Sequence, residues 1–202
     1  MLWLIIILFF VINTLFSYAT FKNGDEFYNK RMQDRKVHPK VFDIGHKYLP
    51  DYTDNPYLLG ILNSMIILAP FIIQYGLGYN ILDDFIYYFL IIYLIRMIMI
   101  NSTILPKQKT CNSEFNLMSI FNGHCYDKIF SGHFASAFLL VLIVYKKNII
   151  TNIPILAIYS TIIALLILVT RSHYTIDIVV ALVVVMFVYF NVPNLINENS
   201  VH

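Results

Sequence analysis

Three consecutive runs decide how this chain folds: SGHFASAFLLVLIVY (131–145), IITNIPILAIYSTIIALLILVT (149–170) and HYTIDIVVALVVVMFVYFN (173–191). Each approaches the roughly 17–25 apolar residues that a helix needs to cross a bilayer. Lys146, Lys147 and Asn148 separate the first two, and Arg171 and Ser172 the last two. None alternates apolar and polar residues with a period of two, and a spanning segment in lipid must satisfy its own backbone hydrogen bonds, so helices are expected rather than barrel strands.

Three further apolar blocks lie upstream, at about 2–19, 57–75 and 81–105. Pro56 stands where a helix can begin, Gly76 and Gly78 mark a reversal, and Pro106 closes the third block. The expected fold is therefore an all-α integral membrane protein, a bundle of six transmembrane helices. Residues 1–20 form a first helix of signal-anchor type, 21–55 a polar loop, 56–193 a core with five more spans, and 194–202 a polar tail. Composition agrees: 58% of the residues are hydrophobic and 13% charged, outside the balance of soluble domains. A net charge of only +2 gives no reason to expect a nucleic-acid partner. Cys111 and Cys125 share one polar loop and are either a disulfide or two thiols, according to the compartment that loop faces.

Counting crossings puts the 21–55 loop, the 106–129 loop and the 171–172 turn on one side. There, two span starts meet: Ser131-Gly132-His133 and His173-Tyr174-Thr175-Ile176-Asp177. Helix N-termini present unpaired N–H groups and partial positive charge, which favour a phosphate. Ser131 or Thr175 can cap such ends. If the helix includes both, His173 and Asp177 stand one above the other at i and i+4, so the carboxylate can orient the imidazole. For phosphoryl chemistry this suggests His173 as nucleophile and His133 as general acid and base, with backbone N–H groups and Arg171 on the phosphate. A lone interfacial histidine is more often structural, but two with an aspartate at neighbouring helix starts favour chemistry. The three could instead share a metal, although no fourth strong ligand is apparent, and no metal or cofactor is expected. Arg96, within the third span, is either a phosphate partner under the site or a snorkelling side chain. Asp83 and Asp84 read as interfacial charges at the opposite end, and Lys146 and Lys147 as snorkelling ends of a short span. His38, His46 and His124 read as solvated loop residues, and His202 as terminal.

The run Cys125-Tyr126-Asp127-Lys128-Ile129-Phe130-Ser131-Gly132-His133 resembles the sphingomyelin synthase motif in which Cys-Gly-Asp precedes Ser-Gly-His-Thr, and His173 to Asp177 resembles that family's His-Tyr-Thr-x-Asp. Leu49, Pro50 and Asp51 resemble its Pro-Asp motif, and Arg96, Thr103, Leu105 and Pro106 its third-helix pattern. The resemblance implies a six-helix fold of the type 2 phosphatidic acid phosphatase (PAP2-like) superfamily with His133, His173 and Asp177 catalytic. Ser131, Gly132, Arg171, Arg96 and Asp127 are then the expected phosphate-side residues. It also implies transfer of phosphocholine or a related head group from a membrane glycerophospholipid to ceramide or diacylglycerol, in an endomembrane (Golgi-like) or plasma membrane. The superfamily's usual phosphatase pattern has an Arg several residues before the second His. Here Arg171 is only two residues before His173, which favours the transferase branch. Tyr126 and Phe134 replace the family's Gly and Thr. The family's site faces the lumen or exterior, whereas eleven Lys and Arg on the site's side against two opposite would place it in the cytosol. Two other readings stand beside this one: a lipid phosphate phosphatase, and a non-catalytic lipid-binding membrane protein.

Overall fold

The computed structural model describes residues 2–31, 41–106, 126 and 128–192. Among them every regular element is helical: α1 (Leu2–Gly24), α2 (Ile44–Tyr48), α3 (Pro56–Phe71), α4 (Leu82–Ser102), α5 (Gly132–Lys146), α6 (Ile153–Val169) and α7 (Thr175–Asn191). Wider π-type turns extend α1 over Asp25–Arg31 and α3 over Ile72–Gly76. Asp127, Cys111 and Cys125 lie outside the described residues, as do His38, His124 and His202.

Local chemistry sets the helix starts. Asn55 accepts from Tyr57 N–H ahead of Pro56, whose missing N–H costs nothing in a first turn. Asn152 and Pro154 do the same for α6. The start of α4 has no cap of its own, and Gln74 Oε1 accepts from the Ile81 and Leu82 N–H groups at 2.7 and 3.1 Å. Gly78 lies in the left-handed region at φ 77°, the backbone the reversal into α4 requires.

The hub is α5, with ten of its fifteen residues buried and α3, α4, α6 and α7 packed round it. Ala135, Leu139, Ile143, Ile163, Ile167, Ala181 and Val185 form its fully enclosed contacts. The outward faces are apolar too. Ile176, Val179, Val183, Phe187 and Phe190 make one exposed stripe on α7, and Ile155, Ile158, Ile162 and Leu165 another on α6. Exposed apolar surface on this scale needs a partner or a lipid phase. The α3 helix with its π-type turn, from Tyr57 to Gly76, and α4 are long and apolar enough to cross a membrane, while α5, α6 and α7 are shorter apolar helices.

Two expectations are corrected. The spans read as starting at 131 and 173 begin as helices only at 132 and 175, because 128–131 and 170–174 are irregular segments that build the site. Asp84 is buried and pairs with Lys147 Nζ at 2.6 Å, and Lys147 also donates to Asn80 C=O. At this end Lys147 is therefore tied between α4 and the α3–α4 turn, while Lys146 lies over the Tyr189 ring.

Candidate active site

His173 precedes α7 rather than lying within it, so its contact with Asp177 is not the i to i+4 stacking of a helix. Tyr174 occupies the cap position, and Asp177, at N3, turns back to accept the Tyr174 N–H at 2.9 Å. The same carboxylate oxygen lies 3.3 Å from His173 Nδ1, and the Lys128 carbonyl oxygen lies 2.8 Å from that nitrogen. Both partners are acceptors. Nδ1 therefore carries the proton, and the lone pair is on Nε2. His173 and Asp177 are almost completely buried, at 3% and 0% exposure, so this arrangement is held away from bulk water.

A backbone bond delivers the second histidine. Ser131 N–H donates to the Asp177 carbonyl at 3.2 Å, strapping the start of α5 to the first turn of α7. Ser131 Oγ then caps α5 by accepting from Phe134 N–H. The His133 ring stands edge-on to that of His173 with centroids 6.2 Å apart, and its Nε2 is 3.0 Å from Asn63 Oδ1 on α3. Gly132 has to be small here: an added Cβ would lie 2.6 Å from the Tyr93 hydroxyl and 3.1 Å from Arg96 Nε. That space admits Arg96, which is buried, donates to Phe130 C=O at 3.0 Å and lies against the Tyr93 ring. Arg96 thus faces the start of α5 and does not snorkel.

Arg171 is 9% exposed and holds a left-handed φ of 56° in the turn between α6 and α7. Its Nη2 donates to Leu49 C=O at 2.8 Å and its Nε is 3.7 Å from Asp51 Oδ2. Its Nη1 is buried without a hydrogen-bond partner among the described residues. Asp177 Oδ1 is in the same position. Among those residues no three His, Cys, Asp or Glu side chains gather as a metal-ligand set.

Residues 124–194, about a third of the chain, match the family model for the C-terminal part of the PAP2 superfamily. The match supports the PAP2-like superfamily. It covers both histidines, Asp177 and Arg171, and it does not distinguish the sphingomyelin synthase branch. No curated protein and no solved structure matches the chain significantly.

In the matched segment and around it, four contributors are absent from the expected set. Lys128 sits inside the quoted motif, is buried, and donates from Nζ to Ser172 C=O at 2.7 Å while its own carbonyl holds His173. Asn63 meets His133 from α3. Asp43 caps two helices at once: Oδ1 accepts from His46 N–H and Thr175 Oγ1, and Oδ2 accepts from Thr175 N–H at 2.7 Å. Thr175 is therefore pinned by Asp43, and its Oγ1 accepts from Gly45 N–H in the first turn of α2 rather than capping α7. Burial works to raise the Asp43 carboxyl, but the bonds from His46 and Thr175 outweigh it and hold it below the usual carboxylate range.

The fourth is His46, read from sequence as solvated. Its side chain is 18% exposed, and Nε2 is 2.9 Å from the His173 carbonyl oxygen. Burial lowers its imidazole below the ordinary range and the Arg171 and Lys128 charges push the same way, against the His173 carbonyl and Asp43, which act to raise it. The folded protein thus resists a proton that the unfolded chain accepts near pH ~6.5. This contribution to stability is full above that pH and is lost as pH falls below it. The thermal midpoint of the wild type should drop more steeply from pH 7 to 5 than that of His46→Gln, and equal slopes would contradict the assignment.

Proposed function

We propose that this chain is a membrane-embedded phosphotransfer enzyme acting on lipid phosphate esters, with α1, α3, α4, α5, α6 and α7 as its six spans. The observation that carries the reading is the buried His173 ring, whose Nδ1–H is fixed by the Lys128 carbonyl and Asp177, an arrangement that leaves the lone pair on Nε2. Nε2 attacks phosphorus and forms an N–P bond as the bond to the diacylglycerol oxygen breaks, and the leaving oxygen takes a proton from His133. His133 then removes the proton from an acceptor hydroxyl, whose oxygen attacks phosphorus and releases His173. The Asp177 carboxylate stabilises the cationic phosphoimidazole, and Asn63 orients His133 as Asp177 orients His173. Arg171, whose buried Nη1 has no partner among the described residues, and Arg96 and Lys128 supply positive charge for the phosphate oxygens. Ser131 and Gly132 contribute the N-terminal end of α5, and Asp127 belongs to this set by its motif position alone.

The motif resemblance favours head-group transfer of the sphingomyelin synthase type, from phosphatidylcholine to ceramide, over hydrolysis. Labelled phosphatidylcholine and ceramide, given to the purified protein in lipid, should yield sphingomyelin and diacylglycerol. Release of inorganic phosphate from phosphatidic acid instead would establish the water-accepting phosphatase. If neither product forms, the chemistry proposed for the triad fails and a non-catalytic lipid-binding role takes its place.

A further inference from the structure

The turn that carries His173 has no regular structure of its own from Thr170 to Tyr174. A nucleophile on such a turn needs outside support to hold its aim within the tolerance of an in-line attack, where about 1 Å of misplacement costs on the order of 100-fold. That support comes from residues 43–52, more than a hundred positions away in sequence. Tyr52 N–H donates to Val169 C=O, Arg171 Nη2 donates to Leu49 C=O, and Asp43 holds the first turn of α7 through Thr175. Gly45 N–H donates to Thr175 Oγ1, and a Cβ on Gly45 would lie 2.5 Å from that oxygen, so α2 rests directly on α7.

We infer that His46 is a positioning residue for the nucleophile, its Nε2–H holding the carbonyl of His173 and so fixing the peptide that joins His173 to Tyr174. The assignment rests on the reading of His173 as nucleophile. A carbonyl only accepts, so Nε2 of His46 is the protonated nitrogen whether the ring is neutral or charged. The His46 ring also lies against that of Tyr174, with centroids 5.2 Å apart. The 173–174 peptide is consequently held at both ends: its C=O by His46 and its N–H by Asp177 Oδ2. Because that same oxygen meets His173 Nδ1, the peptide, the carboxylate and the imidazole form one closed hydrogen-bonded ring. A donor on the C=O polarises the peptide and strengthens the N–H bond to Asp177, so His46 reinforces the group that orients His173. It touches no substrate and acts through the backbone.

The test uses three full-length variants, with two readouts. His46→Phe keeps a ring against Tyr174 but removes the donor, His46→Gln places an amide donor near the Nε2 position, and His46→Ala removes both. With labelled phosphatidylcholine and ceramide, His46→Phe should lose about 10- to 100-fold in kcat with little change in KM. His46→Gln should recover most of that loss. Nitrogen-15 spectra of histidine-labelled protein, which need no substrate, should show His173 protonated at Nδ1 in wild type and His46→Gln, and a mixture of tautomers in His46→Phe. An unchanged tautomer together with wild-type kcat in His46→Phe would overturn the inference. So would equal losses in His46→Phe and His46→Gln that follow a lowered thermal midpoint, since that pattern is general destabilisation. If the wild type turns over no lipid phosphate at all, the enzyme reading fails, and the nitrogen spectra still decide whether His46 sets the His173 tautomer.

Discussion

On the proposed mechanism, His173→Ala should lower head-group transfer to the uncatalysed background, a loss on the order of 10,000-fold or more. The size of the effect follows from having one correctly prepared nucleophile. His173 is the imidazole whose proton is fixed on Nδ1 by two acceptors, whereas His133, whose ring stands against it, has its Nε2 engaged with Asn63, and His46 meets the His173 backbone carbonyl. Alanine cannot form the N–P bond, and water reaching the 3%-exposed position would have no base at the right angle. The accompanying structural cost is moderate. The Lys128 carbonyl loses a donor, for about 1–3 kcal/mol, while Asp177 keeps its bond to Tyr174 N–H. Thermal unfolding should therefore still show a folded protein. The decisive measurement is the covalent intermediate: with labelled donor and no acceptor, the wild type should carry acid-labile label on His173, and His173→Ala none. Turnover within tenfold of wild type in the variant would remove His173 from the chemistry.

That His133, His173 and Asp177 deserved attention was legible because the features marking them are local: a small-residue turn before an apolar run in one case, a His-Tyr-Thr-x-Asp spacing in the other. The geometry they adopt was only partly legible. The four-residue spacing suggested helical stacking, whereas His173 lies before the helix and Asp177 reaches back to it as an N3 capping residue. At the site the helices start one and two residues inside the apolar runs, because hydropathy reports which segments are apolar, not which part of an apolar segment is unwound. Irregular backbone is tolerated where protein buries it and pairs its polar groups, and 128–131 and 170–174 are such places. What sequence could not supply is the support. Asp43, His46, Asn63 and the Lys128 carbonyl act across separations of 45 to 132 residues, and no periodicity links a loop to the turn it braces. Lys128 was the one within reach, since it sits three residues before the first motif serine. Asp84 shows the converse. Its charge looked interfacial, and only the fold brings Lys147 to it.

Asp177→Asn should lower kcat by roughly 100- to 10,000-fold, less than His173→Ala and with KM little changed. An asparagine has two ways to sit in the pocket, and neither restores the wild type. With its amide oxygen at the Oδ2 position, it still accepts from Tyr174 N–H and His173 Nδ1–H, but the negative charge facing the phosphoimidazole cation is gone. Its NH₂ then occupies the Oδ1 position, which is buried and has no partner among the described residues. With the amide reversed, an NH₂ meets two donors, the hydrogen bond from Tyr174 N–H is lost, and the His173 proton is driven towards Nε2, where it blocks attack. The Lys128 carbonyl, 2.8 Å from Nδ1, is the reason the loss is not complete: it keeps a share of the molecules in the reactive tautomer without any carboxylate. Single-turnover kinetics separate the cases, because slow formation of the labelled phosphoenzyme with normal donor binding locates the defect in the first displacement. Full activity in Asp177→Asn would show that the charge beside His173 is not used. A loss as complete as that of His173→Ala would show that the Lys128 carbonyl cannot hold the tautomer by itself.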